Sequence, residues 1–295
     1  MTEQYATAAV RLTRFASLLV DGPDARAFLQ GQLSADLEQL AATRVQLASC
    51  NSVQGRVQAV VWLVERSDAF VLVLPAPLIE TIAGRLRKYV LRSKVRISTG
   101  AGKLDAYVAD RTAVSARLDE PRAHYENGAV SYIRWPGDPA RVLMLAPDST
   151  ASVRDANAEV AWHLEDVRAG LPQVYPVTHE AFVAQMLNLD LLGGIDYEKG
   201  CYTGQEIIAR THFRGTIKRR MLRFASDSPP PDPGTRIVVG DQHAGDVVDA
   251  ATTAGGCELL AVVSLSQADA RLEIDGQPRS VLRRMPLPYS VTSSQ

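Results

Sequence analysis

Lys199-Gly200-Cys201-Tyr202-Thr203-Gly204-Gln205-Glu206-Ile207-Ile208-Ala209-Arg210 carries more chemical information than any other stretch of this chain. Thr203, followed three residues later by Glu206, has the form of a capping box and predicts a helix that starts at Thr203. Cys201 would then stand just before a helix N-terminus, where free amide N–H groups and the positive end of the dipole favour a thiolate. Lys199 adds positive charge, and no carboxylate intervenes before Glu206. Gly200 and Gly204 leave the backbone around the sulfur uncrowded. The segment predicts an accessible thiol of lowered pKa. Gln205 either satisfies a donor at the helix start or faces a ligand.

Outward from this stretch, the other two cysteines are Cys50 and Cys257, at the end of an apolar strand and in a β-rich tail, and are expected to be structural. Three widely spaced cysteines without a CxxC pair are neither a disulfide framework nor a zinc module. They point to a reducing compartment. The N-terminal MTEQYATAAVRLTRF lacks a signal-peptide pattern, and the apolar runs are strand-length, so the expected location is the cytoplasm, with no membrane association. The length of 295 residues suggests two domains, or two with an appended module. Lys+Arg 32 against Asp+Glu 33 gives a formal net charge of -1, which argues against a body devoted to binding nucleic acid or membrane. One local exception follows the cysteine: Arg210, His212, Arg214, Lys218, Arg219, Arg220 and Arg223 run without an acid between Glu206 and Asp227. Such a run is a solvated face, or an anion site for a carboxylate or phosphate tail or RNA.

The N-terminal half predicts a strand at Ala16–Val20 and a helix with Pro23 at its first position, its apolar face continuing through Leu40. A strand at Val45–Cys50, a turn at Asn51–Gly55 and a returning strand at Val57–Val64 follow. Next come a strand at Phe70–Leu74, a helix over Pro75–Tyr89, and strands at Val95–Ser98 and Ala106–Ala109. Further strands fall at Val130–Arg134 and Val142–Leu145, and a helix at Ala158–Val167 carries Trp162. Arg168-Ala169-Gly170-Leu171-Pro172 reads as a helix end with a glycine stop. This order indicates an α+β class. The run Ser228-Pro229-Pro230-Pro231-Asp232-Pro233-Gly234 marks a boundary, so 1–227 is read as an α+β region and 228–295 as a C-terminal unit. The short strands expected beyond it, at Arg236–Val239, Ala244–Val248, Leu259–Leu265, Arg271–Ile274 and Ser280–Leu282, suggest a small β-barrel or sandwich.

The motif at 199–206, followed by Phe213-Arg214-Gly215 and Lys218-Arg219, resembles that of the YgfZ-type folate-binding proteins. These are relatives of the glycine cleavage T protein associated with iron–sulfur cluster assembly or repair. The resemblance spans nearly the whole chain. It includes Phe28-Leu29-Gln30-Gly31-Gln32, Gly55-Arg56, Lys88-Tyr89 with Ser93-Lys94-Val95, and Arg168 to Pro172. It continues through Gln185, Asn188-Leu189, Gly193-Gly194-Ile195 and Leu287-Pro288-Tyr289-Ser290. It implies two intertwined ferredoxin-like α+β units around a folate channel, with a C-terminal β-barrel. It implies that Cys201 is the functional thiol and that Lys199, Tyr202, Gln205 and Glu206 shape its pocket. Trp162 would match an aromatic that contacts folate, and Phe15 would stand where the family has a tryptophan. Arg210 opens the basic run that would receive the glutamate tail of the folate or a partner.

The aminomethyltransferases carry an acidic pair on the strand after the hairpin, whereas here the strand reads Gly55-Arg56-Val57-Gln58-Ala59. A glutamine is no general base near neutral pH. The leading expectation is therefore a tetrahydrofolate-binding maintenance factor for iron–sulfur enzymes such as tRNA-modifying methylthiotransferases. It would affect tRNA modification indirectly. One thiol falls short of the four protein ligands of the common clusters, so no permanently bound metal or cluster is expected. The alternative is a folate-dependent one-carbon transferase of the aminomethyl type. Direct tRNA binding through Arg210 to Arg223 ranks third, against the near-neutral total charge.

Overall fold

The computed structural model describes residues 9–99, 104–109, 117–137, 141–147, 152–277 and 280–291. Its elements run β1 (Ala9–Arg11), β2 (Phe15–Asp21), α1 (Ala25–Gln30), β3 (Val45–Asn51), β4 (Val57–Glu65), β5 (Phe70–Pro75) and α2 (Ile79–Val90). They continue through β6 (Arg96–Ser98), β7 (Leu104–Ala109), β8 (His124–Asn127), β9 (Val130–Trp135), β10 (Arg141–Pro147), β11 (Ser152–Val153) and α3 (Ala156–Arg168). The last are α4 (Gln205–Arg214), β12 (Arg219–Ser226), β13 (Arg236–Val239), β14 (Gln242–Thr253), β15 (Gly256–Ser264), β16 (Glu273–Ile274) and β17 (Arg283–Met285). The class is α+β, as expected. No helix among the described residues is long and apolar enough to cross a membrane.

The first of two compact units comprises Met1–Gln32, Asp36–Leu47 and Val61–Glu159. One sheet has the order β11-β1-β7-β10-β9-β8. A second has the order β3-β4-β5-β2-β6, and its strands β3 and β4 continue into the segments of the second unit. Every residue of β5 is buried, which is why this strand reads as an unbroken apolar run rather than an alternation. The helix α2 buries Ile82, Ala83 and Leu86, one stripe at helical spacing. Burial of Ile82 and Leu86 contributes about 1.5–3 kcal/mol each.

The long first helix expected from Pro23 through Leu40 is not formed. The helix α1 stops at Gln30, with Asp24 rather than Pro23 at its entry, and Leu37–Gln39 is a separate 3-10 turn. Asp36 caps that turn through the Glu38 N–H at 3.1 Å and accepts a 2.7 Å bond from the Gln30 amide. Gln32, Ser34 and Asp36 are buried, and a continuous helix would leave these polar groups facing its apolar neighbours.

The second unit comprises Leu33–Ala35, Ala48–Val60 and Val160–Gln295. Its sheet has the order β16-β13-β14-β15-β12-β17 and curls into a half-barrel. Leu222, Phe224, Ile237, Val247, Leu259, Ala261 and Val263 fill its core. The strand β12, which precedes the proline run, pairs between β15 and β17. The proline run connects β12 to β13 within this sheet. The strand expected at Ser280–Leu282 is displaced to β17, because the Ser280 hydroxyl closes a turn by accepting the Ile274 N–H at 2.8 Å. The glycine stop after α3 is realised: Leu171 N–H reaches Asp166 O and Gly170 N–H reaches Val167 O, with Gly170 at φ +66°. This is the paired bonding of a Schellman ending.

Candidate functional site

The cysteine motif is a braced loop in the second unit. The Asp196 carboxylate accepts the backbone N–H groups of Glu198 and Lys199 at 2.8 and 2.9 Å. The Lys199 ammonium turns inward and donates to the carbonyls of Leu33 at 2.9 Å and Ala35 at 2.7 Å. It also lies 5.0 Å from the centre of the Tyr202 ring. Burying an ammonium is unfavourable unless its protons are used, and here two carbonyls and a ring face use them. The same short segment is held from its other side, where the Ser34 hydroxyl donates to Gly194 O at 2.5 Å and accepts the Ser49 N–H at 2.8 Å. Lys199 is thus a structural tie, rather than simply a charge offered to the sulfur.

The predicted capping box is not formed. The helix α4 begins at Gln205, two residues later than expected, and its cap position is Gly204 at φ +85° with no side-chain cap. The reason is close packing against the hairpin between β3 and β4. A Cβ on Gly204 would stand 2.6 Å from Ser52 O, and one on Gly55, itself at φ +70°, would stand 2.8 Å from the Ile207 Cβ. Only glycine permits both the left-handed backbone and this approach. Glu206 is exposed in the first helical turn, where its charge complements the dipole. The Gln205 side chain turns back to Lys199 O at 3.4 Å.

Cys201 is exposed on this loop, whereas Cys50 and Cys257 are buried. Burial also pushes the Cys257 thiol up in pKa. Beside Cys201, Tyr202 is buried, and its hydroxyl has no hydrogen-bond partner among the described residues. Burial, with Tyr197 and Asp196 nearby, raises its pKa well above the usual phenol range. Tyr197 stacks on His212 at 3.8 Å between ring centres, and Phe213 meets both edge-on. Arg210 lies with Glu206, Ala209, Phe213 and Arg214 along a shallow groove on the open face of α4.

Three further motif segments meet within the second unit. Tyr289 donates to Gly170 O at 2.8 Å, and the Asn188 amide donates to Met221 O at 2.7 Å and to the Tyr289 hydroxyl at 3.4 Å. Gln185 donates to Ile208 O at 2.7 Å and so fixes α4. The basic run divides in two. Arg219 pairs with Asp246 at 2.8 Å, Arg220 with Asp190 at 2.6 Å, and Arg223 with Glu258 at 3.2 Å. Those three charges are structural and leave Arg210, Arg214 and Lys218 exposed.

The aromatic positions differ in setting. Phe15, in the first unit, is buried against Trp135 at 5.6 Å with the Arg14 guanidinium 5.4 Å from its ring centre. Trp162, in the second, is buried on α3. Sequence reasoning missed one group altogether. The Gln58 amide donates to the Glu180 carboxylate at 2.7 Å, so an acid does stand beside this strand position. Glu180 is supplied by the segment that zips onto β4, where Val57 N–H reaches Phe182 O and Glu180 N–H reaches Val57 O. Glu180 adopts φ +62°, a left-handed backbone uncommon for a non-glycine residue. Nothing in its local sequence announces this.

The fold is that of the T-type aminomethyltransferases. The glycine cleavage system aminomethyltransferase T of Bartonella henselae matches it with a TM-score of 0.72, over 96% of this chain and 87% of that one, at 14% identity. No family model matches the chain. It is 32% identical to the tRNA-modifying protein YgfZ of Edwardsiella ictaluri, over 97% of this chain and 93% of that protein. Identity to YgfZ of Klebsiella pneumoniae is 30%, over 95% and 92% of the two chains. The chain belongs to the YgfZ family.

Proposed function

We propose that this protein binds tetrahydrofolate and supports the assembly or repair of iron–sulfur clusters in client enzymes, tRNA-modifying methylthiotransferases among them. The observation that carries the reading is Cys201, exposed on a loop braced by Lys199 and Gly204, in a chain with the fold of an aminomethyltransferase. Tetrahydrofolate fits the donor and acceptor inventory. The Gln58 carbonyl oxygen is buried without a partner among the described residues, beside the Glu180 carboxylate, and the N–H groups of a pterin ring match that acceptor pair. Arg210 would hold the glutamate tail, and Trp162 the aromatic part. Bound tetrahydrofolate would supply one-carbon carrying capacity. Cys201 would provide one ligand, the client the others, since a common cluster takes four.

A deletion strain complemented with wild type or Cys201→Ala tests this reading, with cluster-enzyme activities measured and tetrahydrofolate binding followed on the purified proteins by calorimetry. Loss of client activity with folate binding retained supports it. Full complementation by Cys201→Ala would overturn it.

Glu180 favours a second reading, a folate-dependent one-carbon transfer in which this carboxylate replaces the acid absent from the strand. Transfer of a one-carbon unit to tetrahydrofolate by the purified protein, abolished in Glu180→Gln, would establish it.

A further inference from the structure

We propose that the C-terminal end of α2 is a docking surface for RNA, which it grips through the phosphate backbone. From Glu80 to Asp105 the sequence holds no acid, and Arg85, Arg87, Lys88, Arg92, Lys94 and Arg96 fall within it. The acid-free basic run that follows the cysteine motif, 207–226, loses its strand arginines to Asp246, Asp190 and Glu258. Here the pairing is less complete. Arg87 lies 3.9 Å from Glu80, and Arg96 3.0 Å from Asp21. Lys88, Arg92 and Lys94 are exposed, and no described acid forms an ion pair with them. Cations at a helix C-terminus offset the dipole over the last turn, but Arg92 and Lys94 lie beyond the helix.

The loop that carries them is fixed in place. Leu91 breaks the helix at φ +46°, and Ser93 N–H returns to Val90 O at 2.8 Å. The Lys94 N–H donates to the Asp24 carboxylate at 2.7 Å. A Cβ on Gly22, at φ +114°, would stand 2.2 Å from Lys94 O, so a glycine is required there for the loop to close. The cations are thereby presented in a defined arrangement at one edge of the first unit.

Unpaired cations gathered on a fixed backbone fit a polyanion, because each phosphate they neutralise releases counterions. Tyr89, 41% exposed with the Arg85 guanidinium 5.2 Å from its ring centre, adds an aromatic face on which a base can stack. A lipid surface would need a larger apolar anchor, and Leu91 is the single strongly exposed aliphatic side chain among the described residues of this patch. The inference does not rest on the folate reading.

The test is fluorescence anisotropy of the full chain with labelled bulk tRNA, between about 50 and 200 mM salt. Wild type should bind with an affinity that falls linearly with salt on logarithmic axes. Lys88→Ala/Arg92→Ala/Lys94→Ala should weaken binding at least about tenfold and make the slope shallower by about 2–3. Single Lys94→Gln should make it shallower by about 1, and Arg210→Ala/Arg214→Ala should bind like wild type. Matched thermal unfolding establishes that the variants are folded. An unchanged triple variant, loss of binding in the Arg210/Arg214 variant instead, or capture by phosphatidylserine vesicles without capture of tRNA would each overturn the assignment.

Discussion

Gly204 and Ser52 lie so close that a Cβ on Gly204 would stand 2.6 Å from the Ser52 carbonyl oxygen. Both groups are backbone or bonded directly to it, so no rotamer change relieves the clash, and the φ of +85° adds strain for any L side chain. Gly204→Ala is therefore expected to destabilise the protein by about 2–4 kcal/mol. Gly200, in the same loop, has open space around its Cβ position. Gly200→Ala should stay within about 0.5 kcal/mol of wild type. Urea midpoints of the two variants decide the matter, and equal midpoints would refute the packing argument.

The three thiols should separate cleanly in reactivity. Cys201 is exposed and Cys50 and Cys257 are buried, with the Cys257 thiol further held protonated by burial. The thiolate is the nucleophile, so access and ionisation act in the same direction. Iodoacetamide at neutral pH is expected to label Cys201 in the native protein and the other two only after unfolding. Peptide mass spectrometry reads the sites directly. Native labelling of Cys50 at the rate of Cys201 would contradict the structure.

The strands β2 to β5 and the helix α2 are legible in the sequence because each is specified locally, by apolar runs of strand length or a helical stripe with turn residues between. The exposed cysteine was legible for a similar reason, since glycines and charged neighbours mark its loop. What escaped were the features set by distant residues. The break after Gly31 makes sense only once Lys199, far along the chain, takes up the Leu33 and Ala35 carbonyls. Thr203 and Glu206 have the letters of a capping box, yet the close approach to Ser52 demands a left-handed Gly204 at the cap and overrides that local preference. The arginines of β12 look unopposed because their acids, Asp190, Asp246 and Glu258, lie elsewhere in sequence. Glu180 reaches Gln58 for the same kind of reason.

Arg220 offers the sharpest energetic test of that last group. Its side chain is 2% exposed and meets Asp190 through two bonds of 2.6 and 2.8 Å, while also donating to Gln185 O at 2.9 Å. Removing only the acid leaves a buried guanidinium without its counter-charge. Asp190→Ala is expected to cost about 3–5 kcal/mol. Arg220→Lys should also destabilise, because an ammonium cannot reproduce the two-pronged contact. Since Gln185 in turn holds Ile208 O, these variants should raise hydrogen exchange at α4 first. Exchange measured by mass spectrometry that leaves residues 205–214 unaffected would sink the proposed coupling.

His124 makes acid stability predictable in sign. It is 4% exposed, and its Nδ1 lies 2.7 Å from Ala42 O. A carbonyl only accepts, so Nδ1 carries the proton and Nε2 is a buried lone pair without a partner among the described residues. Protonation would place a second donor in that apolar site. Burial therefore holds the pKa below 6.5, with Arg66 acting the same way and the Ala42 bond and Glu126 opposing. The unfolded chain takes up its proton near 6.5 and the folded chain only at lower pH, so the unfolded state binds more protons in between. This contribution to stability is full above the unfolded value and declines as the pH falls through about 6.5 toward the folded one. Each unit of separation is worth about 1.4 kcal/mol. His124→Asn keeps a donor for Ala42 but has no proton to gain. It should be less stable than wild type at about pH 7.5 yet lose less stability on going to about pH 5.5. Urea unfolding of both proteins at the two pH values measures the difference, and parallel losses would show that His124 is not the titrating group.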